Sequence, residues 1–192
     1  MTPTNEVHAA LGPLVATLDA LGVAYYIGGS VACSVHGVPR TSIDIDIVAA
    51  LVDAHVAAFA QRLEAQYHLD EDRIRDAVRR RRSFNLIHLA SMMKIVVFVA
   101  KGRGFDDEAL RRARSGAIGG DAETWFRLAS PEDVLLAKLE WYRLGGEASE
   151  RQWNDVLGLL RTQGDRLDRD HLRRWGVALG VADLLERAER EA

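Results

Sequence analysis

What the sequence lacks narrows it first. A single cysteine, Cys33, stands among 192 residues, so no internal disulfide framework can form and a reducing compartment is expected. Cys33 itself reads as a small buried helix residue rather than a reactive thiol. No apolar run approaches the roughly 20 residues of a membrane-spanning helix, and no signal-peptide pattern is present. A cytoplasmic protein with no membrane partner is expected. Charge excess is lacking too: 25 Lys+Arg against 28 Asp+Glu leave a net −3. No global field therefore recruits nucleic acid, although a local basic patch stays open. Repeats and low-complexity segments are absent. With 48% hydrophobic and 28% charged residues, the chain suits one compact domain, or a small domain with a helical appendage.

What is present centres on YYIGGSVACSVHGVPRTSIDIDIV, Tyr25 to Val48. It reads as a strand, a glycine turn, a short helix, a loop and a second strand. Asp44 and Asp46 alternate with Ile43, Ile45 and Ile47, so on a strand both carboxylates project to one side. Two carboxylates a strand-step apart repel by roughly 3 kcal/mol at an effective dielectric near 20. Solvent or a cation must neutralise them, and magnesium suits the role because it combines one or two carboxylates with phosphate oxygens and water. Gly28 and Gly29 end the first strand, and Ser30 reads as an N-cap opening a helix over Val31 to His36. Glycine lets a ligand approach the backbone, and a helix N-terminus offers N–H groups to an anion. Alone, a Gly-Gly-Ser turn is often only a turn and a D-x-D only a solvated edge face. In this order they imply a nucleoside triphosphate (NTP) bound with Mg2+.

With 13 residues between Ser30 and Asp44, the stretch resembles the signature of the polymerase-β-type nucleotidyltransferase superfamily, G-[GS], a spacer, then D-x-D. The likeness is greatest to small bacterial members, the minimal, antibiotic-modifying and abortive-infection types. Gly37 to Asp46 resembles their G-x-x-R-x-T-x-D-x-D, with Ser42 where threonine is usual. SPEDVLLAKLEWYR and RQWNDVLGLL look like their helical half. The resemblance implies an α/β (α+β) fold: a mixed, mainly antiparallel sheet flanked by helices over 1–129, then a helical subdomain over 130–192. It implies transfer of a nucleoside monophosphate from a Mg2+-bound NTP to a hydroxyl. Asp44 and Asp46 would be the catalytic, metal-holding acids, and Gly28, Gly29, Ser30, Arg40, Ser42 and Lys138 would bind nucleotide. Asp155 would support the site. If Lys138 reaches the phosphates, Lys138→Ala should weaken triphosphate binding while leaving stability within about 1 kcal/mol, as for a surface helix change. Read as residues alone, Lys138 could instead be a solvent-facing lysine, and Asp155 could pair with Arg151.

One position departs from the pattern. The family's third acid lies in a run like K-[IV]-D-[LIV]-F-[LIV], whereas Lys94 to Val99 reads KIVVFV with Val96 in the acid's place. Valine offers neither ligand oxygen nor proton acceptor, and a lost base typically costs 10²- to 10⁴-fold. An even loop over Ala90–Met93 would set Ile87 opposite Val96; an odd loop or a bulge would set His88 there as a substitute. The acceptor stays open among small molecule, tRNA and protein. So do a partner protein or a homodimer, and two other functions: a degenerate nucleotide-binding regulator, or a toxin–antitoxin module acting through its helical tail.

Elsewhere, helices are expected over 4–22, Val52 to Tyr67 (with His55 on its surface) and Asp106 to Arg114, with Asp107 and Asp106 belonging to the last. Four more helices are expected after Ser130. A turn is expected over Gly116 to Gly120 and an edge strand over Ala122 to Leu128. Residues 70 to 82 read as an exposed helix or loop; alternatively some of Arg79 to Arg82 face the cleft. Trp141, Trp153 and Trp175 read as core.

Overall fold

The computed structural model describes residues 3–39, 44–118 and 125–192. Helix α1 (Pro3–Ala20) carries Pro13 inside it without ending there, and its stripe of Leu11, Leu14 and Leu18 is fully buried. Gly22, at φ +66, turns the chain into β1 (Tyr25–Ile27), a glycine turn, α2 (Gly29–Val35) and β2 (Asp44–Ala49). A single turn of 3-10 helix precedes α3 (Val56–Leu63). The helix expected to run to Tyr67 thus stops at Leu63. Tyr67 instead opens the short edge strand β3 (Tyr67–His68), where its hydroxyl donates to the Ala10 carbonyl at 2.6 Å. That long-range bond and the burial of its ring outweigh a helical pattern that was running out of apolar positions.

Helix α4 (Glu71–Arg80) is capped by Asp70, which accepts from the Arg73 N–H, and ends at Arg81 in the left-handed region. The hairpin β4 (Ser83–His88) and β5 (Lys94–Val99) follows, then α5 (Gly104–Arg112), β6 (Arg114–Ala117) and β7 (Trp125–Leu128). Gly116 lies in β6, not in the expected turn, because β6 pairs antiparallel with β7. A Cβ at residue 116 would meet Leu128 Cδ1 at 2.6 Å, so glycine suits that crowded strand position. The start of the expected strand at Ala122 lies outside the described residues.

The sheet order is β3-β4-β5-β2-β1-β7-β6. Four of its pairings are antiparallel, while β2 with β5 and β1 with β7 run parallel. This is the mixed, mainly antiparallel α/β arrangement expected.

Four helices complete the chain: α6 (Pro131–Leu144), α7 (Glu150–Gln163), α8 (Arg169–Ala178) and α9 (Ala182–Glu191). Ser130, Ser149 and Asp168 cap the first three by accepting the N–H three residues on, each cap contributing on the order of 1 kcal/mol.

Two apolar layers sandwich the sheet. Ile45, Ile47, Ile95 and Val97 pack with α1, α3 and α4 on one side. On the other, α6 to α9 gather around Leu135, Leu139, Val156 and Leu172, joined by Cys33 of α2 and Phe105 of α5. Burying each such side chain stabilises by about 1.5–3 kcal/mol. The alternation that sends Ile45 and Ile47 into the first layer turns Asp44 and Asp46 toward the second.

Candidate functional site

The floor of the site is the exposed face of two parallel strands in register. Asp44 pairs with Lys94, Asp46 with Val96, and Val48 with Phe98. All six side chains are half-buried, between fully buried Ile45, Ile47, Ile95 and Val97. Val96 therefore sits beside Asp46, on the face where strand parity put it. Lys94 Nζ donates to Asp44 Oδ2 at 3.1 Å. Across the hairpin neither expected partner lies opposite Val96; Asn85 does. The four-residue loop kept the parity, but the register falls two residues from that counted on the sequence. His88 is buried, bonded to Ser91 Oγ at 2.8 Å and tilted against Tyr67. It cannot stand in for an acid at residue 96.

The glycine turn is locked to this floor. The Gly28 N–H donates to the Asp46 carbonyl at 2.9 Å. Gly29 adopts φ +55, and a Cβ there would lie 1.9 Å from Asp46 Oδ2. Only glycine permits that approach, whose distance decides the residue type. Ser30 is not the N-cap. Helix α2 starts two residues earlier than expected, Gly28 is its cap without a side-chain bond, and Ser30 is buried in its first turn. The turn and the D-x-D strand form one unit, with the Asp46 carboxylate against the first residue of the helix.

Helices α6 and α7 form the facing wall. Lys138 is only 6% exposed; its Nζ donates to Asp155 Oδ2 at 2.7 Å and to Gln152 Oε1 at 3.3 Å. The solvent-facing reading of Lys138 is thus overturned, as is the Asp155–Arg151 pairing: the two helices are clamped by one buried ion pair. Between wall and floor lies a cleft of about 660 Å³ that takes in Gly28, Gly29, Ser30, Asp44, Asp46 and Lys138 together.

Further residues enter the cleft that were not singled out for it. Arg103 forks between Asp106 (2.9 Å) and Glu140 (2.5 Å). The Asp106 bonds first, then Glu140, raise its pKa against the opposing cost of burial. Tyr26 lies at the base, its phenol pKa pushed up by burial and then by Asp133 and Asp106. Trp141 is not core: it is 49% exposed, lines the cleft and packs against Phe98 with ring centres 5.7 Å apart. The signal was there, since Asp133, Ala137, Glu140 and Trp141 recur at helical spacing on one face. Trp153 is buried and Trp175 packs against the same core.

The arginine run stays out of the cleft. Arg79 pairs with Asp53, Arg80 with Asp76, and Arg81 bonds the Ala100 carbonyl. His55 accepts from the Val52 N–H. Arg40 and Ser42 lie outside the described residues. Among those described, no group of three or more His, Cys, Asp or Glu side chains could hold a metal ion. Asp44 and Asp46 suit magnesium only as two ligands of an ion that brings phosphate oxygens and water with it.

No protein-family model matches the sequence, and no curated protein matches it. Solved structures do. The antibiotic-resistance factor ANT(2'')-Ia in solution aligns over 100% of both chains at 16% identity and a TM-score of 0.57. An antigenic nucleotidyltransferase-like protein from Paracoccidioides brasiliensis covers 93% of this chain and 92% of its own at 18% identity and TM-score 0.54. ANT(2'')-Ia in complex with adenylyl-2''-tobramycin covers 90% and 97% at 14% and 0.54. The fold is that of a nucleotidyltransferase. Within this nucleotidyltransferase fold the glycine turn, the D-x-D strand and Lys138 share one cleft. No helix among the described residues is long and apolar enough to cross a membrane.

Proposed function

We propose that the cleft binds a nucleoside triphosphate with Mg2+ and transfers its nucleoside monophosphate to a hydroxyl. The observation that carries this reading is the Gly29–Asp46 approach: a Cβ at residue 29 would meet Asp46 Oδ2 at 1.9 Å, so glycine lets the turn's backbone and a D-x-D carboxylate meet at one place. Asp44 and Asp46 would hold the ion, which supplies charge neutralisation for the phosphates. Gly28, Gly29 and Ser30 would bring backbone to the terminal phosphates. Lys138, oriented by Asp155, offers an ammonium from the facing wall, and Arg40 and Ser42 would join it in binding nucleotide. The hydroxyl oxygen attacks the α-phosphorus, the bond to pyrophosphate breaks, and the hydroxyl proton leaves to water. Such chemistry is mostly positioning and electrostatic stabilisation. The acceptor is a small molecule, a tRNA end or a protein, met in the cytoplasm.

Val96 beside Asp46 supports a second reading, a regulator that binds nucleotide without transferring it, alone or in a toxin–antitoxin pair or homodimer. Calorimetry with ATP and GTP tests what the two readings share. Affinity should collapse on chelation and in the Asp44→Ala, Asp46→Ala double variant. Equal affinity in all three conditions would sink the triphosphate site. Transfer of label from each NTP then separates enzyme from regulator.

A further inference from the structure

Lys94 touches the first of the D-x-D carboxylates, Asp44, and its place is set by backbone register. It stands opposite Asp44 on the parallel neighbour strand, two residues before Val96, with its ammonium 3.1 Å from Asp44 Oδ2. Asp44, Asp46 and Lys94 together carry one net negative charge. A pair of divalent cations about 3.5–4 Å apart would need a third acid at residue 96, where valine stands, and would crowd an ammonium already in contact with Asp44.

We propose that Lys94 is a resident counter-cation, and that the cleft consequently accepts one divalent ion rather than two, weakly unless nucleotide phosphates come with it. This rests on the triphosphate reading for the source of those phosphates. Lys94 and Asp44 are each more than a third exposed (42% and 41%), and such ion pairs are weak. The arriving ion therefore competes with the ammonium at Asp44 Oδ2, and Lys94 swings aside as the ion takes that oxygen. Lys94 acts on the ion through charge, so its removal should be felt before any nucleotide is present. A divalent and a monovalent cation about 5 Å apart in water-like surroundings repel enough to change affinity roughly tenfold.

Mn2+ serves as the probe, followed by electron paramagnetic resonance and calorimetry. The parent should bind Mn2+ weakly without nucleotide, and with saturating ATP should hold one Mn2+ per chain. Lys94→Gln should tighten nucleotide-free Mn2+ binding about tenfold, whereas Lys94→Arg, which keeps the charge, should match the parent. Two Mn2+ per chain in the ATP-bound parent would overturn the inference, and this measurement needs no variant. So would a Lys94→Gln affinity within twofold of the parent's, or a Lys94→Arg affinity as tight as that of Lys94→Gln. The Asp44→Ala, Asp46→Ala variant separates the two claims. If it loses nucleotide-free Mn2+ yet binds ATP unchanged, the triphosphate reading falls while the role of Lys94 stands.

Discussion

Replacing Lys138 by alanine should destabilise this protein before it answers any question about nucleotide. The ammonium and the Asp155 carboxylate are 2.7 Å apart, with side chains 8% and 7% exposed. Truncating the lysine removes the ammonium that faces this buried carboxylate. Breaking such a pair from one side typically costs 3–5 kcal/mol. For a chain of 192 residues each kcal/mol lowers the melting temperature by about 2–4 °C, so a fall on the order of 10 °C is expected. Removing both charges is different, because well-packed apolar replacements of a buried pair are often neutral or stabilising. Lys138→Met with Asp155→Leu should therefore recover most of the loss in a urea or thermal melt, while affinity for Mg2+·ATP stays reduced. The recovery isolates the ligand role of Lys138 from its structural one. A Lys138→Ala variant within about 1 kcal/mol of the parent would refute the buried-pair argument. A double variant that binds Mg2+·ATP like the parent would remove Lys138 from the phosphate site.

Three further outcomes follow from the same geometry. Gly29→Ala forces a side chain at φ +55 into the space of Asp46 Oδ2; strain of about 1–3 kcal/mol and at least tenfold weaker Mg2+·ATP binding are expected, by melting and calorimetry. Val96→Asp adds a third acid beside Asp46, so the variant should be less stable without metal and restabilised by Mg2+ with ATP. It should also transfer nucleotide faster than the parent, to itself or to water; no gain in metal affinity would show that residue 96 faces away from the ion. Glu132 is subject to burial that raises its pKa, but the Asp168 N–H, its own N–H, Ser130 and Arg112 outweigh that and hold it below the ordinary carboxylate value. A depressed pKa contributes stability that is present above the unfolded value and is lost as pH falls through the folded one. Acid unfolding should therefore begin below about pH 4.5, and Glu132→Gln should flatten that limb of the stability curve.

How much of this was legible in the residues depended on whether local chemistry or long-range pairing decided each feature. Ser130, Ser149 and Asp168 open helices because an oxygen at the N-cap meets an N–H three residues away, an interaction the sequence carries whole. The alternation from Asp44 to Ile47 fixed which face holds the acids for the same reason. Ser30 failed because its neighbour, Gly29, is shaped by a carboxylate that lies 17 positions further on. Once Gly29 must approach Asp46, it begins the helix and Ser30 is carried inside.

The hairpin failed in the same way: counting the loop gave the parity at Val96, but the ladder alone gave Asn85 as its partner. Lys138 makes the point most strongly. On its own helix it is one lysine among charged neighbours, and only the packing of α7 against α6 brings Asp155 to it. Trp141 differs again, since its stripe with Asp133, Ala137 and Glu140 was visible. A stripe shows which residues share a face, however, not whether that face meets core or solvent. Here it meets a cleft whose strand floor carries Asp44 and Asp46 beside Val48 and Phe98, and Trp141 of the stripe reaches across to pack on Phe98.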